Sequence, residues 1–551
     1  MRNRLTNIAD RLSDIAARFP DTPAVIQPER SGTYRCVTFA ELNADTERIA
    51  EGLRRFGVQP GMRLALFVRY GIDFIALVFA LCRAEVTLVL IDPGMGIRRM
   101  FKCLTKINPD GFVAVPSVQI VRLLMRHRFP KAKYNITVGQ YRFGGSKTLK
   151  EIRCHHNHSV PQKTVIQKER SEQDGQFPLA AIIFTSGSTG PAKGVAFTHS
   201  IFDAQVREIQ KRFNIQSGEV DLACFPFFGL FDAAMGVTAV IPDIDTAKPA
   251  AANPAKIVEA ANRWSITQSF ASPAIWKRVA DYCTKTGAKL GTLKRAVSAG
   301  APVSADILAK LKPHIHPDGD IFTPYGATES LPVAAISATE VLNETAAQTA
   351  LGLGVCVGKR FDTITWKVIK ITDEPIARLE DAEEVPAGQI GELTVTGPQV
   401  TTQYVNRPEA DAASKMRDVQ GRIWHRIGDT GYLDGQDRFW FCGRKAHRVE
   451  ANGKTYYPIP CEAVFNQHPK VYRSALAAKK RAGGFVRMFI EPYPEHFPKN
   501  KKEAKVLLSE LRTLGQSSTL TADITDIILM RHFPVDVRHN IKINREMLST
   551  M

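Results

Sequence analysis

The apolar run Leu179-Ala-Ala-Ile-Ile-Phe184 leads directly into Thr185-Ser-Gly-Ser-Thr-Gly-Pro-Ala-Lys-Gly194, and this junction leaves the chain fewer options than any other stretch. Six apolar residues are the length of a buried strand, and the glycine-rich decapeptide that follows reads as a loop handling phosphate. Gly187, Gly190 and Gly194 permit a close backbone approach to a ligand. The hydroxyls of Thr185, Ser186, Ser188 and Thr189 and the ammonium of Lys193 supply donors to anionic oxygens. The loop is not a Walker A motif, which ends in Gly-Lys-Ser/Thr, because Gly194 and Val195 follow Lys193. Nothing in it pairs a nucleophile with a base.

Four further segments follow: Tyr325-Gly-Ala-Thr-Glu329, Gly428-Asp-Thr-Gly-Tyr-Leu-Asp434, the pair Gly443-Arg444, and Lys542 near the C-terminus. In this order and spacing the five elements resemble the signatures of the acyl-adenylate-forming superfamily over nearly the whole chain. The resemblance implies an α/β fold: a large N-terminal domain over residues 1–442, built of stacked α/β subdomains and a β-rich subdomain, a hinge at 443–447, and a small α+β lid domain over 448–551 that carries the catalytic lysine. It implies ATP and Mg2+ as cofactors. Thr185, Ser186, Gly187, Ser188, Thr189, Gly190 and Lys193 would hold the β- and γ-phosphates, and Gly300, Ala301 and Pro302 would lie along adenine with Tyr325 stacked on it. Thr328 would touch the α-phosphate, Glu329 would hold the metal, and Asp429 with Arg444 would take the ribose hydroxyls. Lys542 would bridge the substrate carboxylate and the α-phosphate.

Two positions depart from the common pattern of that superfamily. Ile541 precedes Lys542 where relatives carry glycine, and Ala446 stands where many carry Asp or Lys at the hinge about which the lid turns to admit a thiol. The second departure, with Ile91-Asp-Pro-Gly-Met-Gly96, Phe225-Pro-Phe-Phe-Gly-Leu-Phe-Asp232 and Phe533-Pro-Val-Asp-Val-Arg-His-Asn540, makes the chain resemble most the bacterial olefin-biosynthesis branch, whose members are β-lactone synthetases. What this implies is a long-chain 2-alkyl-3-hydroxy acid adenylated at its carboxylate and closed by its own hydroxyl. An acyl-CoA or acyl-carrier ligase is the nearest alternative, and an inactive nucleotide-binding scaffold the alternative of another class. The residues name no base for ring closure.

Composition fits this reading. The chain has 551 residues, with 73 Lys and Arg against 55 Asp and Glu, and its nine cysteines include no CxxC pair. A disulfide framework and a zinc ribbon are therefore not expected, and a reducing cytoplasm is. Cys154-His-His-Asn-His158 holds its donors side by side rather than spaced to converge, so no metal is expected there. Asp10 and Asp14 break the only apolar N-terminal pattern, so no targeting segment is expected. The most apolar window, Phe74–Ile91, contains Arg83 and Glu85 and reads as a buried helix and strand rather than a membrane span.

The N-terminal segment alternates helix and strand: helix over Thr38–Phe56, strand over Arg63–Val68, helix over Ile72–Cys82, strand over Val86–Ile91. Leu222–Phe231 reads as a strand running into an aromatic turn. Excess charge is concentrated between Arg98 and Arg153, with thirteen Lys and Arg against Asp110 and Glu151. Within it, Val118–Tyr134 reads as a basic amphipathic helix whose Arg122, Arg126 and Arg128 would meet an anionic membrane surface or neighbouring olefin-pathway enzymes, placing the protein at the membrane periphery. No nucleic acid is expected as a partner, since aromatic and basic residues are not interleaved as in base-stacking surfaces.

Overall fold

The computed structural model describes residues 7–29, 32–154, 179–185, 192–245, 248–479, 485–535 and 543–551. It divides into two compact units, Met1–Pro242 with Thr401–Arg407, and Asp243–Val400 with Pro408–Met551. In the first unit a sheet runs in the order Lys147–Thr148, Ile136–Thr137, Gly111–Ala114, Arg63–Phe67, Thr87–Leu90, Leu179–Phe184, Gly194–Thr198. Every pairing in it is parallel except the last, which is an antiparallel hairpin. Parallel strands need covered faces, and the helices Phe39–Arg55 and Ile72–Arg83 supply fully buried side chains such as Phe39, Leu42, Ile49, Ile75 and Leu81. Thr38 and Glu41 form a reciprocal capping box that starts the first of them.

In the second unit Gln268–Ala271, Arg295–Ser298 and Asp320–Ala327 are parallel neighbours, and from there the sheet continues antiparallel through Ser330–Ser337, Val355–Arg360, Arg438–Arg444, Ile423–Leu433, Gly391–Thr396 and Thr365–Ile369. The fold is thus α/β with a β-rich portion. Residues 443–447 lie inside this unit. Beyond them stand a hairpin, Val449–Ala451 with Lys454–Tyr456, and a three-stranded sheet of Val471–Lys479, Phe485–Pro492 and Asp526–Leu529. Both share a core containing Tyr456, Phe465, Leu476, Met488, Leu507 and Leu511. Among the described residues no helix is long and apolar enough to cross a membrane.

Two expectations are corrected. Leu222–Phe231 does not run as a strand into a turn: the strand is Val220–Leu222, and Pro226–Met235 is a helix. Pro226 occupies its first turn, where a missing N–H costs nothing, and Gly236 closes it at φ +76°. The basic helix is shorter than expected and turned the other way. It spans Pro116–Leu124, followed by a single 3-10 turn at Arg126–Arg128, with Phe129 buried just after. Arg122 and Gln119 face inward. Gln119 Nε2 donates to the carbonyl of Ile136 at 2.9 Å, and Arg122 Nε donates to Gln119 Oε1 at 2.7 Å, while Arg122 Nη2 lies 3.5 Å from the carbonyl of Phe143. Burial lowers the Arg122 pKa from its ordinary value.

Arg122 therefore does not belong to the outward basic surface. Nor is Arg153 an excess charge, since it meets Asp45 at 2.6 Å and Asp73 at 2.8 Å. Arg122→Gln is expected to lower stability by about 1–3 kcal/mol, because it strands buried acceptors. A thermal melt checks this, and an unchanged midpoint would contradict the inward assignment.

Candidate functional site

The parallel strands Arg295–Ser298 and Asp320–Ala327 pair from their first residues, Arg295 beside Asp320, and the second runs on past the end of the first; open α/β sheets place ligands beyond the carboxyl ends of such strands. At that end Asp320–Ala327 turns through Thr328 and Glu329 into the antiparallel strand Ser330–Ser337, with a register shift between Tyr325 and Ala327. Such a bulge re-aims side chains, and it sits within the Tyr325–Glu329 motif. Gly300, in the segment after Arg295–Ser298, holds φ +92°, which favours a residue without Cβ. Ala301 is half-buried and Pro302 exposed in the same segment.

Three of the expected nucleoside residues come together. The Tyr325 hydroxyl donates to Asp429 Oδ2 at 2.5 Å. Arg444 Nη1 stands 2.9 Å from Asp429 Oδ1 and also donates to the carbonyl of Ile427 at 3.0 Å. Strand pairing enforces the ion pair, because Asp429 and Arg444 are direct partners across the antiparallel ladder of Ile423–Leu433 and Arg438–Arg444. Tyr325 has its ring 6.0 Å from Phe439 and 6.4 Å from Phe441. Those two phenylalanines come from the same strand as Gly443, Arg438–Arg444, and nothing in the sequence singled them out.

Asp429 is 4% exposed. Burial raises its pKa, against the opposing effect of the Arg444 guanidinium and the Tyr325 hydrogen bond, while Glu392 and Glu329 add to the rise. Burial, then the neighbouring Asp429 charge, pushes the Tyr325 hydroxyl well above its ordinary range. The carboxylate is thus held by one cation and one neutral donor, an arrangement able to accept a diol. Thr328 and Glu329 are half-buried in the turn. Among the described residues no three His, Cys, Asp or Glu side chains cluster as a metal site. A hard cation such as Mg2+ takes one or two protein carboxylates and completes its shell with phosphate oxygens and water, and Glu329 is the carboxylate of this turn that could hold one.

In the first unit Thr185 and Lys193 close the base of the glycine-rich hairpin. The Thr185 amide donates to the carbonyl of Lys193 at 3.0 Å, and the Lys193 amide donates to Thr185 Oγ1 at 3.2 Å. Lys193 Nζ lies 4.8 Å from the Tyr404 ring centre, a contact invisible in the sequence because it crosses two hundred residues. Val405 donates to the carbonyl of Gly194 at 2.8 Å, so residues 401–407 brace this hairpin. Ser186, Gly187, Ser188, Thr189 and Gly190 lie outside the described residues, as do Lys542 and residues 155–158 of the histidine-rich run. Among the described residues nearest Lys542 in the sequence, Val535 bridges Ile543, and Arg545 meets both oxygens of Glu462, at 2.5 and 3.0 Å.

Residues 443–447, the expected hinge, are tied on one side. Lys445 Nζ donates to Glu392 Oε2 at 3.0 Å and to the carbonyl of Thr372 at 2.9 Å, and the same Glu392 pairs with buried Arg426 at 2.6 Å. Arg448 pairs with Asp373 at 2.6 Å. Gly443 is required twice over: its φ is +135°, and a Cβ there would stand 2.9 Å from Pro458 Cδ. Burial, with Arg545 and Arg444 nearby, lowers the His447 pKa to about 4, so this imidazole is neutral at pH 7. Ala446, between Lys445 and His447, brings no carboxylate or ammonium to this segment.

The family model for AMP-binding enzymes matches residues 12–405. An olefin β-lactone synthetase from Stenotrophomonas maltophilia is 38% identical over 99% of this chain and 98% of its own length. One from Xanthomonas campestris is 38% identical over 99% of this chain and 97% of its own. O-succinylbenzoate coenzyme A synthetase from Bacillus subtilis, solved in complex with ATP and magnesium ion, is similar in fold, with a TM-score of 0.73 at 19% identity over 98% of both chains.

Proposed function

We infer the reaction from kinship: the chain belongs to the AMP-binding enzyme family and is an AMP-forming ligase of the β-lactone-synthetase type. The observation that carries this reading is likeness to two olefin β-lactone synthetases along the entire chain, lid portion included. ATP is the nucleotide. The substrate we propose is a long-chain 2-alkyl-3-hydroxy acid, delivered from a lipid surface or a neighbouring pathway enzyme.

In the first step a substrate carboxylate oxygen attacks the α-phosphorus, forming a P–O bond as pyrophosphate leaves. Two anions must meet, so the residues assigned to the reaction are chiefly donors and cations. The hairpin from Thr185 to Lys193 takes the β- and γ-phosphates, Thr328 the α-phosphate, and Lys542 the charge shared between carboxylate and α-phosphate. Asp429 and Arg444 hold the ribose, with Tyr325 and the Gly300–Ala301–Pro302 segment at the base. Glu329 would hold Mg2+, whose charge offsets that of the phosphate oxygens. In the second step the 3-hydroxyl oxygen attacks the acyl carbon, a C–O bond closes the four-membered ring, AMP leaves, and the hydroxyl proton is lost. A tethered hydroxyl gains the effective molarity of an intramolecular reaction, and the mixed anhydride supplies the driving force.

Ala446 favours this acceptor over a thiol, because the chain lacks the polar side chain about which a thioester-forming lid turns. We propose 443–447 as the hinge and 448–551 as the lid. Incubation with ATP, Mg2+ and a synthetic 2-alkyl-3-hydroxy acid is expected to give the β-lactone and AMP in equal amounts by NMR, with coenzyme A changing neither rate nor product. A thioester formed with coenzyme A would overturn the lactone reading in favour of the acyl-CoA ligase.

A further inference from the structure

From 111 to 150 the sequence contains eight Lys and Arg and no Asp or Glu. In the middle of this stretch the helix Pro116–Leu124 inverts the usual arrangement. Its buried side is pinned by the polar pair Gln119 and Arg122, bonded to the carbonyl of Ile136 and to each other. Its outward side carries Ile120 at 45% exposure, Val121 at 39% and Leu124 at 77%. At 3.6 residues per turn these three positions fall within a sector of about 100°, so they form a single apolar crest in water. The loop after Thr137 runs alongside: a Cβ on Gly139 would touch Pro116 at 3.0 Å, and Gly144 lies directly against the Leu123 side chain. On that loop Tyr141 is 70% exposed. Arg126, Arg128 and Lys131, all exposed, follow the crest within seven residues of Leu124.

We propose that this surface docks reversibly on an anionic lipid bilayer, with Ile120, Val121 and Leu124 entering the acyl boundary and Arg126, Arg128 and Lys131 meeting headgroup phosphates and carboxylates. Charge chooses the occupant. An apolar crest followed by three exposed cations is the pattern of an interfacial helix, the one acid shown bordering its loop, Glu151, being paired with Arg142, and an amphipathic ring such as that of Tyr141 belongs at headgroup depth. Three apolar residues give only weak insertion, so binding depends on the cations as well and falls as salt rises. The proposal does not depend on which acceptor the reaction uses. If the substrate carries two alkyl chains, docking also puts the enzyme where that substrate partitions.

The full chain, without substrate or nucleotide, is sedimented with sucrose-loaded vesicles of phosphatidylcholine alone or mixed with phosphatidylserine. Pelleting is expected on the mixed vesicles at low salt, and little on phosphatidylcholine. Arg126→Gln/Arg128→Gln/Lys131→Gln should lower the partition coefficient about 100-fold, taking three cations near an anionic surface together. Ile120→Ser/Val121→Ser/Leu124→Ser should lower it on the order of 30-fold, with the fold retained, as a thermal melt checks, because no fully buried side chain is replaced. Adenylation of detergent-dispersed substrate should be unchanged in both. Absence of pelleting on anionic vesicles at low salt, or pelleting unaffected by either triple replacement, would overturn the proposal. Capture by a protein partner without vesicle binding would do the same.

Discussion

Lys542→Ala is expected to lower the rate of adenylate formation by about 10²- to 10³-fold while leaving ATP affinity within about a factor of two, the signature of an interaction made chiefly in the transition state. Negative charge converges as the carboxylate oxygen nears the α-phosphorus, and an ammonium held between them gains most there. Placement is the condition for that gain. Val535 and Ile543 pair across the segment, and Arg545 is held by Glu462 and by the carbonyl of Leu476 at 3.0 Å. Arg545 is thereby anchored at the start of the helix Arg545–Ser549. Pyrophosphate release under single-turnover conditions, paired with equilibrium binding of a non-hydrolysable ATP analogue, separates the two quantities. Near-wild-type turnover would make Lys542 a bystander, and a matching loss of affinity would make it a ground-state contact.

Which parts of this were legible in the sequence follows from the range of the interactions that decide them. The strands Arg63–Phe67, Thr87–Leu90 and Leu179–Phe184 are short apolar runs between breakers, and local composition suffices to find them. The helix Pro116–Leu124 has a plain apolar face, but the direction of that face is decided by Gln119 and Arg122 finding carbonyls at Ile136 and near Phe143, which no local pattern encodes. Phe225–Phe231 is apolar on all sides and so carries no period. Pro226 and Gly236 bracketed a helix there, and were the available signal. Motif spacing pointed to Asp429 and Tyr325 separately. Their mutual hydrogen bond joins residues 104 apart, and the Lys445–Glu392–Arg426 cluster joins three distant strand and hinge positions, so both required the folded chain.

Asp429→Asn is expected to raise KM for ATP by about 100-fold, taking two charge-assisted hydrogen bonds at the lower end of about 1.5–3 kcal/mol each and part of that replaced by the amide. The substitution keeps the shape of the side chain, so strand pairing with Arg444 persists. What it removes is the anion that accepts the Tyr325 hydroxyl and faces the Arg444 guanidinium. A pH profile tests the same assignment independently. Burial raises the folded-state pKa of Asp429, and only the ionised form can accept two ribose hydroxyls, so wild-type KM for ATP should climb as pH falls through that raised value. For folding the sign is opposite. A carboxyl whose pKa is raised by folding binds more protons in the native state, so its contribution to stability declines as pH rises from the ordinary carboxylate range towards the raised value. In the asparagine variant both dependences should flatten, because the group no longer titrates. An Asn variant whose KM still climbs with acid, at an unchanged level near neutrality, would remove the ribose role from Asp429 and leave its pairing with Arg444 as a structural contact between neighbouring strands.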